Sequence, residues 1–186
     1  MITLITGGSG SGKSAYAEER ITGFGERERI YIATMYPFDE ESRQRVKRHR
    51  AMREKKNFQT IECYTGLKNL EISKGANVLL ECMSNLVANE MFRQDGAGER
   101  TVQEILEGIR KLAGQARELV VVTNEIFSDG ICYDPETTRY QTYLGEINRW
   151  LGKWAGQVIE VVYGIPIYLK DNRKEEQLNE AALEQF

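Results

Sequence analysis

Two periods of hydrophobic and polar positions alternate along this chain. Short apolar runs bounded by turn residues recur at 1–6, 29–33, 58–63, 78–81, 119–123, 157–163 and 166–169, and these read as strands. Between them lie stretches of helical spacing at 15–20, 39–53, 83–94, 101–117 and 136–154. In the fourth, Val102, Ile105, Leu106, Ile109 and Leu112 form one stripe; in the fifth, Tyr140, Tyr143, Leu144, Ile147 and Leu151 share a face. Most of the strands are apolar on successive positions, as expected for a parallel sheet covered by helices on both faces. The last two are separated only by Gly164-Ile165, too tight for a parallel crossover, so the final strand is expected to be an antiparallel edge. The pattern predicts a single α/β domain over 1–170, followed by a charged tail over 171–186 with weak helical periodicity.

The first strand runs without a gap into Gly7-Gly8-Ser9-Gly10-Ser11-Gly12-Lys13-Ser14, which fits G-x-x-x-x-G-K-[ST]. Glycines there let the backbone wrap closely enough for successive N–H groups to face phosphate oxygens. Lys13 supplies a charge for the β- and γ-phosphates, and the Ser14 hydroxyl suits magnesium. The helix that follows turns its positive dipole end to the anion. A bare Gly/Ser turn would not place Lys-Ser in register between strand and helix. The chain is read as a nucleoside triphosphate-binding protein.

Composition narrows this little. The 186 residues suffice for one core, and a formal charge of −3 argues against general affinity for nucleic acid. Cys63, Cys82 and Cys132 are odd in number and widely spaced, which suits buried or incidental thiols in a reducing compartment. No apolar run approaches the roughly 20 residues of a membrane span. The expected setting is cytoplasmic.

Three further places carry chemistry. Glu81 closes an apolar strand, where a phosphate-loop protein can use a carboxylate to orient magnesium. Asn124-Glu125 closes another, at the sheet end where open α/β folds bind ligands. The stretch 43–56 carries eight Lys/Arg and one Glu inside an acidic chain, which suits either a solvated face or an anion site. It holds His49, the single histidine. Helical spacing sets Arg45 and Arg53 four residues to either side, and such cations favour the neutral, nucleophilic imidazole. The residues alone favour a surface histidine and make His49 a candidate nucleophile and no more.

Taken in order, these features resemble a known family. They are Thr6-Gly7-Gly8 with Ser11 to Ser14, Tyr31 to Thr34, Arg45 through His49-Arg50 with Arg53, Thr60-Ile61-Glu62, Leu79 to Cys82 with Asn85 and Asn89, Val121 to Glu125, Gly130-Ile131, Asn148, and Gly164-Ile165-Pro166 before Lys170. The set resembles the bifunctional adenosylcobinamide kinase/adenosylcobinamide-phosphate guanylyltransferase family of cobalamin assembly, over almost the whole chain. The resemblance implies a RecA-like phosphate-loop fold and a homotrimer. It implies that His49 forms a covalent guanylyl intermediate and that Gly7 through Ser14 hold nucleotide phosphates. It further implies that Thr34, Met35, Tyr36, Met52, Arg53, Glu54, Lys55, Glu62 and Glu81 line the guanine nucleotide site. Mg²⁺ would be held by Ser14 and Glu81, with GTP, ATP and adenosylcobinamide as substrates. The chain departs from the family where Gly10 stands for a frequent arginine, and where Ile126 to Gly130 replaces Gly-Met-Gly.

Two other readings fit the residues. In a plain small-molecule kinase His49 would be incidental. In a RecA-like ATPase gripping nucleic acid through 43–56, binding would weaken steeply with salt; the acidic balance and the lack of an aromatic ladder count against it.

Overall fold

The computed structural model describes residues 1–38, 40, 43–44, 46–47, 50 and 56–172. Its centre is a seven-stranded sheet in the order β3-β2-β4-β5-β1-β6-β7. The strands are β1 (Ile2–Thr6), β2 (Arg29–Ala33), β3 (Phe58–Glu62), β4 (Asn77–Glu81), β5 (Glu118–Val122), β6 (Gln157–Val162) and β7 (Ile165–Asp171). All neighbouring pairs are parallel except β6–β7, so the antiparallel edge is borne out. β5 stands between the phosphate-loop strand β1 and the carboxylate strand β4, in a RecA-like arrangement.

Strand pleating sends successive side chains to opposite faces, and each face has its own cover. Ile5, Tyr31, Leu79, Val120, Val122, Ile159 and Val161 point toward α1 (Lys13–Thr22), where Ala17 and Ile21 meet them. Leu4, Ile30, Ile32, Val78, Leu80 and Val121 point the other way. There they meet Leu86 of α2 (Met83–Phe92), Ile105 and Ile109 of α3 (Thr101–Gln115), and Leu144, Ile147 and Leu151 of α4 (Pro135–Trp154). Asp134 caps α4 by accepting from the Glu136 and Thr137 amides at 2.9 and 3.0 Å, and Pro135 occupies its first turn.

The boundaries differ modestly from expectation. The bend between the last strands falls at Tyr163-Gly164, with φ of 51° and 79°, so Ile165 already belongs to β7. Positive φ at both central residues makes the turn of a two-residue hairpin, whose twist suits the flanking strands. Asp171, assigned to the tail, ends β7 opposite Gln157. Of the helix expected over 39–53, Glu40, Arg43, Gln44, Val46, Lys47 and Arg50 are described and helical. Arg45, His49, Met52, Arg53, Glu54 and Lys55 lie outside the described residues, as does the tail after Asn172.

Candidate active site

The phosphate loop joins β1 to α1 and is shaped by backbone demands that only glycine meets cheaply. A Cβ on Gly7, at φ 152°, would stand 2.5 Å from the Val161 carbonyl and 2.6 Å from Ser11 Oγ. Gly12, at φ 91°, opens the helix and lies against the β6–β7 turn, where a Cβ would come within 3.3 Å of Gly164 Cα. The Gly164 amide donates to the Ser11 carbonyl at 2.8 Å, and the Glu125 amide donates to the Gly7 carbonyl at 3.1 Å. The loop is thus clasped from both neighbouring strands' carboxyl ends. This gives Gly164 a physical role that spacing along the chain could not reveal.

Lys13 is buried. It is the first residue of α1, and its Nζ donates to the Gly8 carbonyl at 2.9 Å. Burial lowers its pKa, while the nearby Glu81 carboxylate and then Cys82 pull it back up. The charge is held over the loop by the loop's own backbone. Ser14 Oγ donates to Glu81 Oε1 at 2.5 Å, which brings together two residues 67 apart in sequence. A hydroxyl and a carboxylate oxygen in contact are hard donors of the type magnesium takes beside nucleotide phosphates, so the pair fits that ion.

Glu81 is held from behind. Thr34, expected as a nucleotide contact, has a fully buried side chain. Its hydroxyl accepts from the Cys82 amide at 2.7 Å and lies 3.0 and 2.8 Å from the Glu81 and Cys82 carbonyls. Asn89 of α2 donates to the Thr34 carbonyl at 2.8 Å. Cys82 Sγ, 3.1 Å from Ser84 Oγ, extends the network to Asn124, whose amide donates to Ser84 at 2.5 Å. Burial raises the Cys82 pKa, so the thiol stays protonated. Asn148 fixes the next turn by accepting from Thr123 at 2.8 Å. Glu125 faces its own loop, accepting from the Phe127 amide and the Ser128 hydroxyl at 2.9 and 2.8 Å.

Thr34→Val tests this support. The variant leaves the buried Cys82 amide without its acceptor, a loss of about 1–3 kcal/mol in denaturant unfolding. It also loosens the carboxylate facing Ser14, so the Mg²⁺ concentration for half-maximal turnover rises several-fold. Thr34→Ser keeps both properties near wild type. An unchanged magnesium requirement in the valine variant would show that Thr34 supports only the fold.

Beside Glu81 opens a small hollow of about 70 Å³, lined by Met35, Val46, Arg50, Glu62, Glu81 and Asn85 among others. Arg50 Nη2 pairs with Glu62 Oε1, and Tyr64 donates to Glu62 Oε2 at 2.8 Å. Tyr36 sits outside the hollow, with its ring 5.1 Å from Tyr64 and the Arg93 guanidinium 4.1 Å above it. Of the expected guanine-site residues that are described, Met35, Glu62 and Glu81 meet in one place. Thr34 is behind it, and Tyr36 is beside it. Arg50, Tyr64 and Asn89 were not read as site residues; Arg50 offered a signal through the basic stretch and the resemblance, Asn89 through the resemblance, and Tyr64 none.

The cobinamide kinase / cobinamide phosphate guanyltransferase family matches residues 3–169. The bifunctional adenosylcobalamin biosynthesis protein CobU of Escherichia coli is 32% identical, over 91% of this chain and all of that protein. Its counterpart of the same name in Salmonella typhimurium is 29% identical over the same shares. Among solved structures, the RadB recombinase aligns with 86% of this chain and 73% of its own at 19% identity and a TM-score of 0.42. The flagellar accessory protein FlaH of Methanocaldococcus jannaschii covers 91% and 78% at 12% identity and a TM-score of 0.42.

Proposed function

The chain belongs to the cobinamide kinase / cobinamide phosphate guanyltransferase family, and we propose that it performs both reactions of a bifunctional enzyme at the carboxyl end of its sheet. In the first, the hydroxyl of the adenosylcobinamide side arm attacks the γ-phosphorus of ATP or GTP. The bond to the nucleoside diphosphate breaks, and adenosylcobinamide phosphate forms. Lys13 and the loop amides hold the phosphates, as such transfers depend on positioning and charge neutralisation. Ser14 and Glu81 would hold Mg²⁺, which supplies positive charge to the transferring group. In the second, a neutral nitrogen of His49 attacks the α-phosphorus of GTP and expels pyrophosphate. The phosphate of adenosylcobinamide phosphate then displaces the imidazole, giving adenosylcobinamide-GDP.

The observation that carries this reading is the Ser14–Glu81 contact beside Lys13, in a chain matched to the family over residues 3–169. Arg50, which follows His49 in sequence, lines the hollow beside Glu81, and this supports Met35 and Glu62 as nucleotide contacts. The test is incubation with adenosylcobinamide, GTP and magnesium. Chromatography should find first the phosphate and then the GDP derivative; a chain that makes neither overturns the proposal. One that makes only the phosphate is the plain kinase.

A homotrimer in the cytoplasm belongs to the same proposal. The three cysteines are free, as a reducing compartment would keep them, and none of the helices in the described part is long and apolar enough to cross a membrane. The aromatic face of α4 does not support assembly, since Tyr140, Tyr143 and Trp154 pack on the core. Instead the β7 edge exposes Ile165, Ile167 and Leu169 beside Tyr163, which is 93% exposed. An apolar edge strand of this kind is normally covered. Light scattering should give a trimer, and Ile167→Asp should shift it toward monomer without lowering helix content. A monomeric wild type at micromolar concentration removes this part of the proposal.

A further inference from the structure

The hollow beside Glu81 is too small for a corrinoid, yet it opens onto a larger trough that no step above uses. Met35 and Asn85 line both. From them a second hollow of about 300 Å³ continues past Tyr36, Phe38, Ala88 and Phe92. A third, of about 500 Å³, begins at Ala88 and Phe92 and ends against Asp134, Glu136, Thr137 and Tyr140 at the start of α4. Its floor is one stripe of α2, because Asn85, Ala88 and Phe92 recur at helical spacing on the side turned from the core.

The walls have a definite chemistry. Phe38 and Phe92 expose 72% and 52% of their surface, unusual for phenylalanine, and both face the same hollow. Tyr36 is fixed between them and the site by an edge contact to Phe38, with ring centroids 4.8 Å apart, and by the Arg93 guanidinium over its face. Arg93 is itself anchored by Asp95 at 2.8 Å. The far rim is polar: Thr137 and Glu136 head α4, and the Tyr140 hydroxyl donates to the Ser84 carbonyl at 3.3 Å. Apolar rings along the trough, with carboxylates and hydroxyls at the far edge, suit a broad, flat, apolar ligand fringed with polar groups.

We propose that this trough over α2 seats the corrin macrocycle of adenosylcobinamide, with its aminopropanol arm reaching past Asn85 and Met35 toward Glu81 and Ser14. The inference rests on the kinase and guanylyltransferase reading and adds to it the place of the larger substrate. Continuity selects this surface over the apolar β7 edge. The trough shares two lining residues with the hollow that holds Glu81, and β7 lines neither hollow. A ligand seated over α2 would lay its arm into the catalytic hollow.

The test measures adenosylcobinamide affinity by equilibrium dialysis, following the colour of the corrinoid, and GTP affinity in parallel. Phe92→Ser and Phe38→Ser should each weaken adenosylcobinamide binding about ten-fold or more, because a large aromatic contact is lost. GTP binding should stay within about two-fold of wild type, and both variants, altered at exposed rings, should melt as wild type does. Phe92→Tyr keeps the ring and should keep the affinity. Leu169→Ser, on the β7 edge, should change neither ligand. Unchanged adenosylcobinamide affinity in both phenylalanine variants overturns the proposal, as does a loss confined to Leu169→Ser. A wild-type chain that binds GTP but neither binds nor modifies adenosylcobinamide overturns the functional reading itself.

Discussion

Lys13→Ala is expected to lower triphosphate-dependent turnover by about 10²–10³-fold, the scale seen when one preorganised charge or donor is removed from a transition state. The reason is local. Lys13 Nζ is held by the Gly8 carbonyl close to the mouth of the loop, near the Ser14–Glu81 pair, and no other Lys or Arg is seen to contact that loop among the described residues. Loss of activity should not come from loss of fold. Burial disfavours the lysine cation, so its removal takes away a desolvation penalty along with the contact to Gly8. A pH signature separates the two roles. The folded-state pKa of Lys13 lies below its ordinary value of 10.5. Between those two values the unfolded chain binds more protons than the folded one, so this group makes wild-type stability rise with pH. That rise should be missing in Lys13→Ala and in Lys13→Met, as read from denaturant midpoints between neutral pH and about pH 10. Undiminished GTP affinity and turnover in both variants would rule out the loop as the working site.

The phosphate loop was legible because its chemistry is local. Gly7, Gly12, Lys13 and Ser14 are consecutive or nearly so, and the backbone angles they adopt follow from residue type. The strands were legible for a related reason. A parallel strand covered on both faces must be apolar on successive positions, as Val78, Leu79 and Leu80 are. What escaped was set by distance along the chain. Thr34 and Cys82 are 48 residues apart, so no pattern around Thr34 shows that its hydroxyl is spent on the Glu81–Cys82 turn. The charge that Lys13 feels from Glu81 and Cys82 is set by distant sequence in the same way.

Two smaller misses have physical causes as well. Tyr163 adopts positive φ, where tyrosine is uncommon, so the hairpin bend was placed one residue late at Gly164-Ile165. The tyrosines of α4 read equally as interface or core by periodicity, since both need an apolar stripe. Only their packing against α2 and α3 separates the two. Phe38 and Phe92 carry no pattern along the sequence. Each is a single aromatic in a loop or helix until the fold sets them on one hollow.

The guanylyl step should leave a mark on the protein itself. α-Labelled GTP with magnesium is expected to deposit one GMP per chain on the peptide containing His49, with pyrophosphate released in equal amount. The adduct should be labile in acid and stable in alkali, because protonating a phosphoramidate nitrogen makes imidazole a good leaving group. Its formation should fall as pH drops below the imidazole pKa, since only the neutral ring attacks. The hollow is lined by one thiol among the described residues, Cys82, and it is kept protonated by burial and engaged with Ser84. His49→Asn retains a polar group of similar reach without a nucleophilic nitrogen. It should lose the adduct and at least about 10³-fold in guanylyl transfer, as removal of a covalent nucleophile does. The kinase step should survive in it, because Lys13, Ser14 and Glu81 are unchanged. Label on another residue, or undiminished guanylyl transfer by His49→Asn, would refute a histidine intermediate; undiminished transfer with no labelled residue would leave direct transfer to adenosylcobinamide phosphate as the route. Loss of both reactions together would instead tie the 43–56 stretch to phosphate binding in the kinase step as well.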